Sequence, residues 1–257
     1  MEPVAAEGDA LAEADLLSLG LGPGVRAFIT TRAGGRSAAP YDSLNLSFAV
    51  GDEPEDVVAN RERVAQAVGM PVTWLRAVHG REALQVDAPM DADPHVDAIV
   101  TNRRGVALAA LAADCVPLLL VARQEQEGPP LAVGAVHAGR RGVQAGVVTA
   151  AIERLREVAG SRPEAHVVAL IGPAICGRCY EVPDAMRSEV SAVVPQAWAT
   201  TAWGTPALDL PRAAAEQARA AGASVIECGL CTREDARLFS HRGDGRSGRF
   251  GSVIGML

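Results

Sequence analysis

The sequence predicts an α+β chain, a mixed α/β fold in which mixed β-sheets are covered by helices. Three observations carry this. Strand-patterned and helix-patterned segments interleave along the chain. Several neighbouring strand segments have no helix between them, which rules against a simple doubly wound sheet. No internal repeat or clear linker divides residues 21–257, so they read as a single domain behind an acidic tail, residues 1–20. With 257 residues and 49% hydrophobic content the chain can bury a large core. Aromatics are only 4%, so that core is built from Ala, Val and Leu.

Residues 1–20 have the composition of a solvated tail or a short helix. They lack a basic segment followed by an apolar run, so no secretory signal is expected and the expected compartment is the cytoplasm. Residues 26–31 are rich in β-formers and read as a strand. The turn from Arg32 to Arg36 carries Gly34 and Gly35, which let backbone N–H groups converge. It reads either as an anion site with Arg32 and Arg36 or as a hairpin turn with solvated arginines. Residues 41–46 read as a loop leading to a short strand. A helix starts at Asp52-Glu-Pro-Glu55: Asp52 caps it, Pro54 enters the first turn and the acids suit the positive end of the dipole. Val57, Val58, Arg61, Val64 and Val68 form its largely apolar stripe, and Gly69 ends it.

Residues 72–78 read as a strand that delivers His79-Gly80. Residues 96–101 and 106–112 read as strands joined by a turn at 102–105. Residues 116–122 form the next strand, offset by Ala113-Asp114-Cys115, and 131–136 the one after, closed by His137. The apolar window 106–122 approaches membrane-spanning length. It holds Asp114 and Pro117, both unfavourable in lipid, so a buried strand pair is expected instead. Residues 142–158 read as one helix whose N-terminus follows His137-Ala-Gly-Arg-Arg141. Its free N–H groups, with Arg140 and Arg141, make the best phosphate site in the sequence.

Residues 166–171 read as a buried strand ended by Gly172-Pro173. A helix follows Pro183-Asp184, and residues 210–221 form an Ala-rich helix entered through Pro211. Residues 224–227 are a strand running into Cys228-Gly-Leu-Cys231. Phe239-Ser-His241 and residues 249–255 read as a final strand pair around the polar turn 242–248. The net charge of −7 and pI near 5.3 argue against a broad nucleic-acid-binding face.

The chemistry concentrates in residues 96–142, where Asp114-Cys115 interrupts one apolar run and His137 closes another. Burying such groups costs free energy unless they are paired or ligated. His79, Cys115 and His137 all sit at or near strand ends. Two imidazoles and a thiolate suit Zn²⁺ and leave a fourth position open, with Asp114 placed to orient a ligand or move a proton. The same residues also read as a Cys–His dyad attacking a carbonyl or amide, or as a buried, inert Cys. Five cysteines, at 115, 176, 179, 228 and 231, do not suggest a disulfide framework. The two Cys-x-x-Cys pairs could close as a four-thiol zinc site, although the gap between them is long for a zinc ribbon.

One group of ordered motifs points further. It comprises Thr30-Thr-Arg-Ala-Gly-Gly35, Tyr41-Asp-Ser-Leu-Asn45-Leu46, Val50-Gly-Asp52 with Asn60-Arg61, Val78-His-Gly80 and Ala113-Asp-Cys-Val-Pro117. It continues with His137-Ala-Gly-Arg-Arg-Gly142, Ile171-Gly-Pro173, Cys179-Tyr-Glu-Val182 and Asp244-Gly-Arg-Ser-Gly-Arg249. In these the chain resembles the YfiH-type family, also called the multicopper polyphenol oxidoreductase or laccase-domain family. Arg140, Gly243 and Phe250 depart from the family's usual residues.

The resemblance implies a four-layer α/β/β/α sandwich with mixed β-sheets. It implies phosphorolysis of purine nucleosides (adenosine, inosine, guanosine or methylthioadenosine) to the base and a sugar 1-phosphate, with adenosine deamination beside it. It assigns the catalytic and metal positions to His79, Cys115 and His137, holding zinc or, as the alternative, copper. Arg32, Asn45, Asp114 and Arg141 become the expected substrate and phosphate residues. A purine nucleoside and phosphate are the expected partners of a monomer or small homo-oligomer, with no nucleic acid and no membrane. Copper oxidation of phenols ranks lower, because five histidines are few for a multi-copper cluster. A cysteine hydrolase acting on an amide and a non-catalytic binding module are the remaining readings.

Overall fold

The computed structural model describes residues 11–161 and 165–257, so the first ten residues of the expected tail lie outside it. The strands are, in order, β1 Leu16–Ser18, β2 Val25–Thr30, β3 Val72–Trp74, β4 Ala83–Gln85, β5 Ala98–Thr101, β6 Ala107–Ala112 and β7 Val116–Arg123. They continue with β8 Pro130–Ala138, β9 His166–Ile171, β10 Trp198–Thr200, β11 Pro206–Leu208, β12 Ala223–Glu227 and β13 Phe250–Met256. The helices are α1 Pro54–Val68, α2 Arg140–Ala145, α3 Val147–Val158, α4 Asp184–Val193, α5 Leu210–Ala220 and α6 His241–Asp244.

Two mixed sheets lie face to face. The five-stranded one has the order β1-β2-β13-β6-β3, and the six-stranded one β12-β9-β7-β8-β5-β4. The β3–β6, β4–β5 and β9–β12 pairs are parallel and the other pairs of these sheets antiparallel. β10 and β11 pair separately. Helix α1 covers the outer face of the first sheet, packing Val64 and Val68 on Phe28, Trp74 and Val253. Helices α3 and α5 cover the outer face of the second. The four expected layers are therefore present.

The apolar run at 116–123 follows from this layering. Successive side chains of a strand point to opposite faces. Leu118 and Leu120 face the helices with Ile152 and Leu155, while Leu119 and Val121 face the other sheet with Leu108 and Ile254. Both faces are covered, so every residue of β7 is buried and the strand shows no polar alternation. Each of these leucines contributes about 1.5–3 kcal/mol by burial.

Several local expectations are corrected. Leu16–Ser18, expected in a tail or short helix, is an edge strand, because Leu16 and Leu17 pair with Thr30 and Ile29 and pack on the core. The 32–36 segment is no hairpin turn, since β2 pairs with β1 and β13. The short strand expected after residue 46 is a 3-10 turn, Phe48–Val50, capped by Ser47. Glu53, not Asp52, is the N-cap residue of α1, and Asp52 accepts from the Glu53 N–H just before it.

The helix expected over 142–158 is two helices, because Gly146 at φ 82° ends α2 and starts α3. The C-terminal strand pair is absent. Ser240 caps α6, and β13 runs alone into the middle of the five-stranded sheet. Among the described residues no helix is long and apolar enough to cross a membrane.

Candidate active site

Asp97 is the organising residue of the site. It stands just ahead of β5 and is fully buried. Its carboxylate accepts the backbone N–H groups of Val78, His79 and Gly80 at 3.3, 2.9 and 2.7 Å. It also holds His137 Nδ1 at 3.0 Å. One buried carboxylate thus fixes the loop carrying one imidazole and the ring of another. Burial works against its charge, but the His137 ring and the Gly80 and His79 amides prevail and hold its carboxyl below the ordinary value of 3.8.

His137 lies inside β8 rather than beyond its end, and is buried. Burial alone would lower its pKa. The charge of Cys115, the hydrogen bonds to Asp97 and Cys115 and the charge of Asp97 outweigh that and raise it to about 9. With Nδ1 on Asp97, Nε2 is the nitrogen left for a ligand or a proton. His79 is exposed, and its ring meets that of His137 edge-on at 4.9 Å between centroids. Desolvation and the positive charge of His137, aided by Arg141 and Arg140, push its pKa down against the pull of Asp97. A neutral imidazole is the form a metal takes. His79 adopts φ 60°, a backbone region costly for most non-glycine residues. The Asp97 hydrogen bonds hold it there.

Cys115 sits where the chain leaves β6 in one sheet and enters β7 in the other. Asp114 makes that crossing at φ 97° and is pinned by three donors. These are the Thr232 and Ser240 hydroxyls, both at 2.7 Å, and the Arg242 N–H at 2.6 Å. The donor atoms of His79, Cys115 and His137 consequently all lie within 4.8 Å of one another. Gly139 leaves them this room: a Cβ there would stand 2.6 Å from His79 Nδ1 and 3.2 Å from Cys115 Sγ. Two imidazoles and one sulfur, with one tautomer fixed by a buried carboxylate, fit a zinc or copper ion.

The trio lines a cleft of about 770 Å³. Arg61, Arg76, Arg249, His95 and His241 also line it, so four of the five histidines face one space. Arg61 makes a two-pronged ion pair with Asp93. Arg249 lies near enough for the Cys115 and Asp114 charges to act on it, although burial lowers its pKa.

Of the other sequence-expected residues, none is among those lining the cleft. Asn45 is fully buried and braces Ser47, Asp52 and Arg249. Asp114 spends its oxygens on the C-terminal segment. Arg32 is engaged with Asp42 and Asp244 and lies over the Phe239 ring. Arg141 is exposed on the short α2, within electrostatic reach of His79. Sequence reasoning missed Asp97 and Arg249. The signal for Asp97 was present, an acid standing at the head of an apolar strand. The four-thiol site, which the long gap between the two pairs argues against, does not form: Cys176, Cys179 and Cys231 gather with Glu234 rather than Cys228.

The sequence family described as multi-copper polyphenol oxidoreductase laccase matches residues 26–257. The chain is 48% identical over 234 residues to a purine nucleoside phosphorylase of Streptomyces griseus, which covers 88% of this chain and 92% of that one. Among solved structures it is similar to the Neisseria meningitidis protein NMB0706 of the DUF152 family, with a TM-score of 0.83 and 34% identity over 94% of this chain and 99% of that one. It is also similar to YfiH of Bacillus licheniformis, with a TM-score of 0.79 and 28% identity over 91% and 93% of the two chains.

Proposed function

The chain belongs to the YfiH/DUF152 laccase-domain family, described as multi-copper polyphenol oxidoreductase laccase, and on that premise we propose that it is a purine nucleoside phosphorylase. The observation that carries the reading is the meeting of His79, Cys115 and His137 in a cleft of nucleoside size that also presents Arg76 and Arg249. The printed activity of the Streptomyces griseus relative supports it.

A zinc ion, with copper as the alternative, would be held by His79, Cys115 and His137 and would supply Lewis-acid charge towards the cleft. The protein's own groups do the rest. Phosphate is held by Arg249 and Arg76 on the cleft wall, with Arg141 within electrostatic reach of His79. A phosphate oxygen bonds the ribose anomeric carbon as the bond from that carbon to the base nitrogen breaks. The base keeps the bonding pair and is protonated on release. Apolar Leu75, Leu111 and Phe48 flank the space for the base. Positioning and charge supply most of the rate. Deamination of adenosine is a second activity that the same donor set would serve. The acids lining the cleft are Asp91 and Asp93, and Asp93 is tied to Arg61, so phosphorolysis is the better supported of the two. Free thiols throughout fit the cytoplasm as the compartment.

A second reading rests on a specific contact. His137 bonds Asp97 and keeps a ring nitrogen within 4.8 Å of Cys115 Sγ, the order of a nucleophile, base and orienting acid. Incubating the protein with adenosine and inosine, with and without phosphate, separates the two. Phosphorolysis gives adenine or hypoxanthine only with phosphate, and chelation stops it. A cysteine hydrolase is blocked by alkylation and indifferent to chelation. Unchanged nucleoside in every condition overturns the phosphorylase reading.

A further inference from the structure

A second set of metal-type donors lies apart from the cleft wall. Cys176, Cys179, Cys231 and Glu234 place their three sulfurs and one carboxylate oxygen within 4.8 Å of one another. The local backbone explains why. Residues 176–179 form a tight turn, with the Cys179 and Tyr180 N–H groups both donating to Cys176 O at 2.9 Å. Residues 231–235 form another, with the Glu234 and Asp235 N–H groups donating to Cys231 O at 3.1 and 2.9 Å. Each turn brings residues i and i+3 to one side, so Cys176 meets Cys179 and Cys231 meets Glu234.

The turns face each other across a parallel bridge between Ala174 and Cys231 and the Thr232 N–H to Ala174 O bond of 3.1 Å. The Cys176 N–H points at Cys231 Sγ, 3.4 Å away, the kind of donor that stabilises a ligating thiolate. Cys179 Sγ stands 3.3 Å from Glu234 Oε1. Cys179 and Cys231 are buried and Cys176 half-buried, whereas Cys228 stands outside the group.

We infer that Cys176, Cys179, Cys231 and Glu234 form a second, structural zinc site that clamps the 174–180 loop to the 230–235 loop. Three thiolates and a carboxylate complete a tetrahedral shell with no position open to substrate, which suits a structural rather than a catalytic ion. The chemistry selects zinc, because thiolate-rich tetrahedral sets favour it over magnesium or calcium. Each thiol gives up a proton as its sulfur binds the ion, and no oxidation is involved. The clamp has a target. Thr232, one residue beyond Cys231, donates to Asp114, and the Ile175 N–H, one residue before Cys176, donates to Asp114 O at 3.0 Å. The ion would therefore stiffen the support behind Cys115. The assignment does not depend on the proposed reaction.

The test starts from a His79→Ala/Cys115→Ala/His137→Ala chain, so that the cleft trio cannot contribute. Purified under reducing conditions, loaded with zinc and desalted, it should retain one zinc per chain. Cobalt in place of zinc should give the intense near-ultraviolet band of cobalt bound to thiolates. Adding Cys179→Ser and Cys231→Ser should abolish both signals, and adding Cys228→Ser should change neither. Loss of zinc on desalting of the triple variant overturns the assignment. So does isolation of the cysteines as a disulfide that binds no zinc. If those variants fail to fold, the unmodified chain decides the matter. Zinc should shield Cys176, Cys179 and Cys231 from alkylation mapped by peptide mass, and equal labelling with and without zinc counts against the site.

Discussion

Two regions of this molecule gather metal-type donors with the same closeness and by different means. The trio in the cleft is assembled from afar: a loop after β3, the crossing from β6 to β7, and the interior of β8. A buried carboxylate, Asp97, must hold it together. The cluster at 176–234 is assembled from two turns, each local and bringing together residues three apart, that a parallel bridge between Ala174 and Cys231 holds together. The first offers three donors and opens on a cleft, while the second offers four and puts none of them on that cleft's wall. Donor count and access divide chemistry from fastening. The means of assembly decides what a mutation does. A trio held by one buried carboxylate fails when that side chain is lost, whereas two turns joined by backbone hydrogen bonds have no single side chain whose loss would part them.

The largest effect expected from this contrast is on turnover. Cys115→Ala should lower phosphorolysis by about 10²-fold or more with the fold intact, measured by base release and circular dichroism. If it turned over like the unaltered chain, the cleft trio would not be the reactive centre.

Asp97→Asn should come next, losing about 10–100-fold in activity or metal affinity because it orients ligands without being one. Asp97→Ala should also cost about 3–5 kcal/mol in urea unfolding, since it strands the His137 ring and three amides. An Asp97→Ala protein of unchanged stability would remove the tether from the account.

Gly139→Ala should cost about 1–3 kcal/mol by crowding His79 and Cys115. Its φ of −77° suits alanine, so only the contact is at issue.

The pH response of chelator-treated protein sharpens the same point. The raised pKa of His137 makes its contribution complete below 6.5 and lost as pH rises through about 9. Asp97, held below 3.8, contributes above that value and its share is lost as pH falls through the lowered one. Urea midpoints should therefore fall between pH 7 and pH 9.5, and Asp97→Asn should flatten that fall.

The smallest effect belongs to Cys228→Ser, a change within about 0.5 kcal/mol of neutral, because Cys228 belongs to neither donor group.

What the sequence made legible was local. Asp114-Cys115 was readable as the break between two strands, and Gly69 as the end of α1. Gly146 is equally visible, but glycine inside an apolar period does not announce whether it ends a helix. The position of β13 between β2 and β6 was not legible, since pairing partners lie at the far end of the chain. Asp97 shows the same limit. An acid at a strand head is visible, but its four partners come from two segments elsewhere in the chain. Glu234 escaped because its spacing from Cys231 repeats that of a Cys-x-x-Cys pair with a different donor. Family motifs singled out His79, Cys115 and His137, whose donor atoms the fold brings within 4.8 Å of one another and which spacing alone could not join.

The shared tether also limits how the site can be redesigned. His137 and the amide of His79 lean on one carboxylate, so neither imidazole can be retuned alone. A library meant to change metal preference would have to randomise positions 79, 97 and 137 together. Selections that varied one position at a time would meet only losses, whatever combinations lay two steps away.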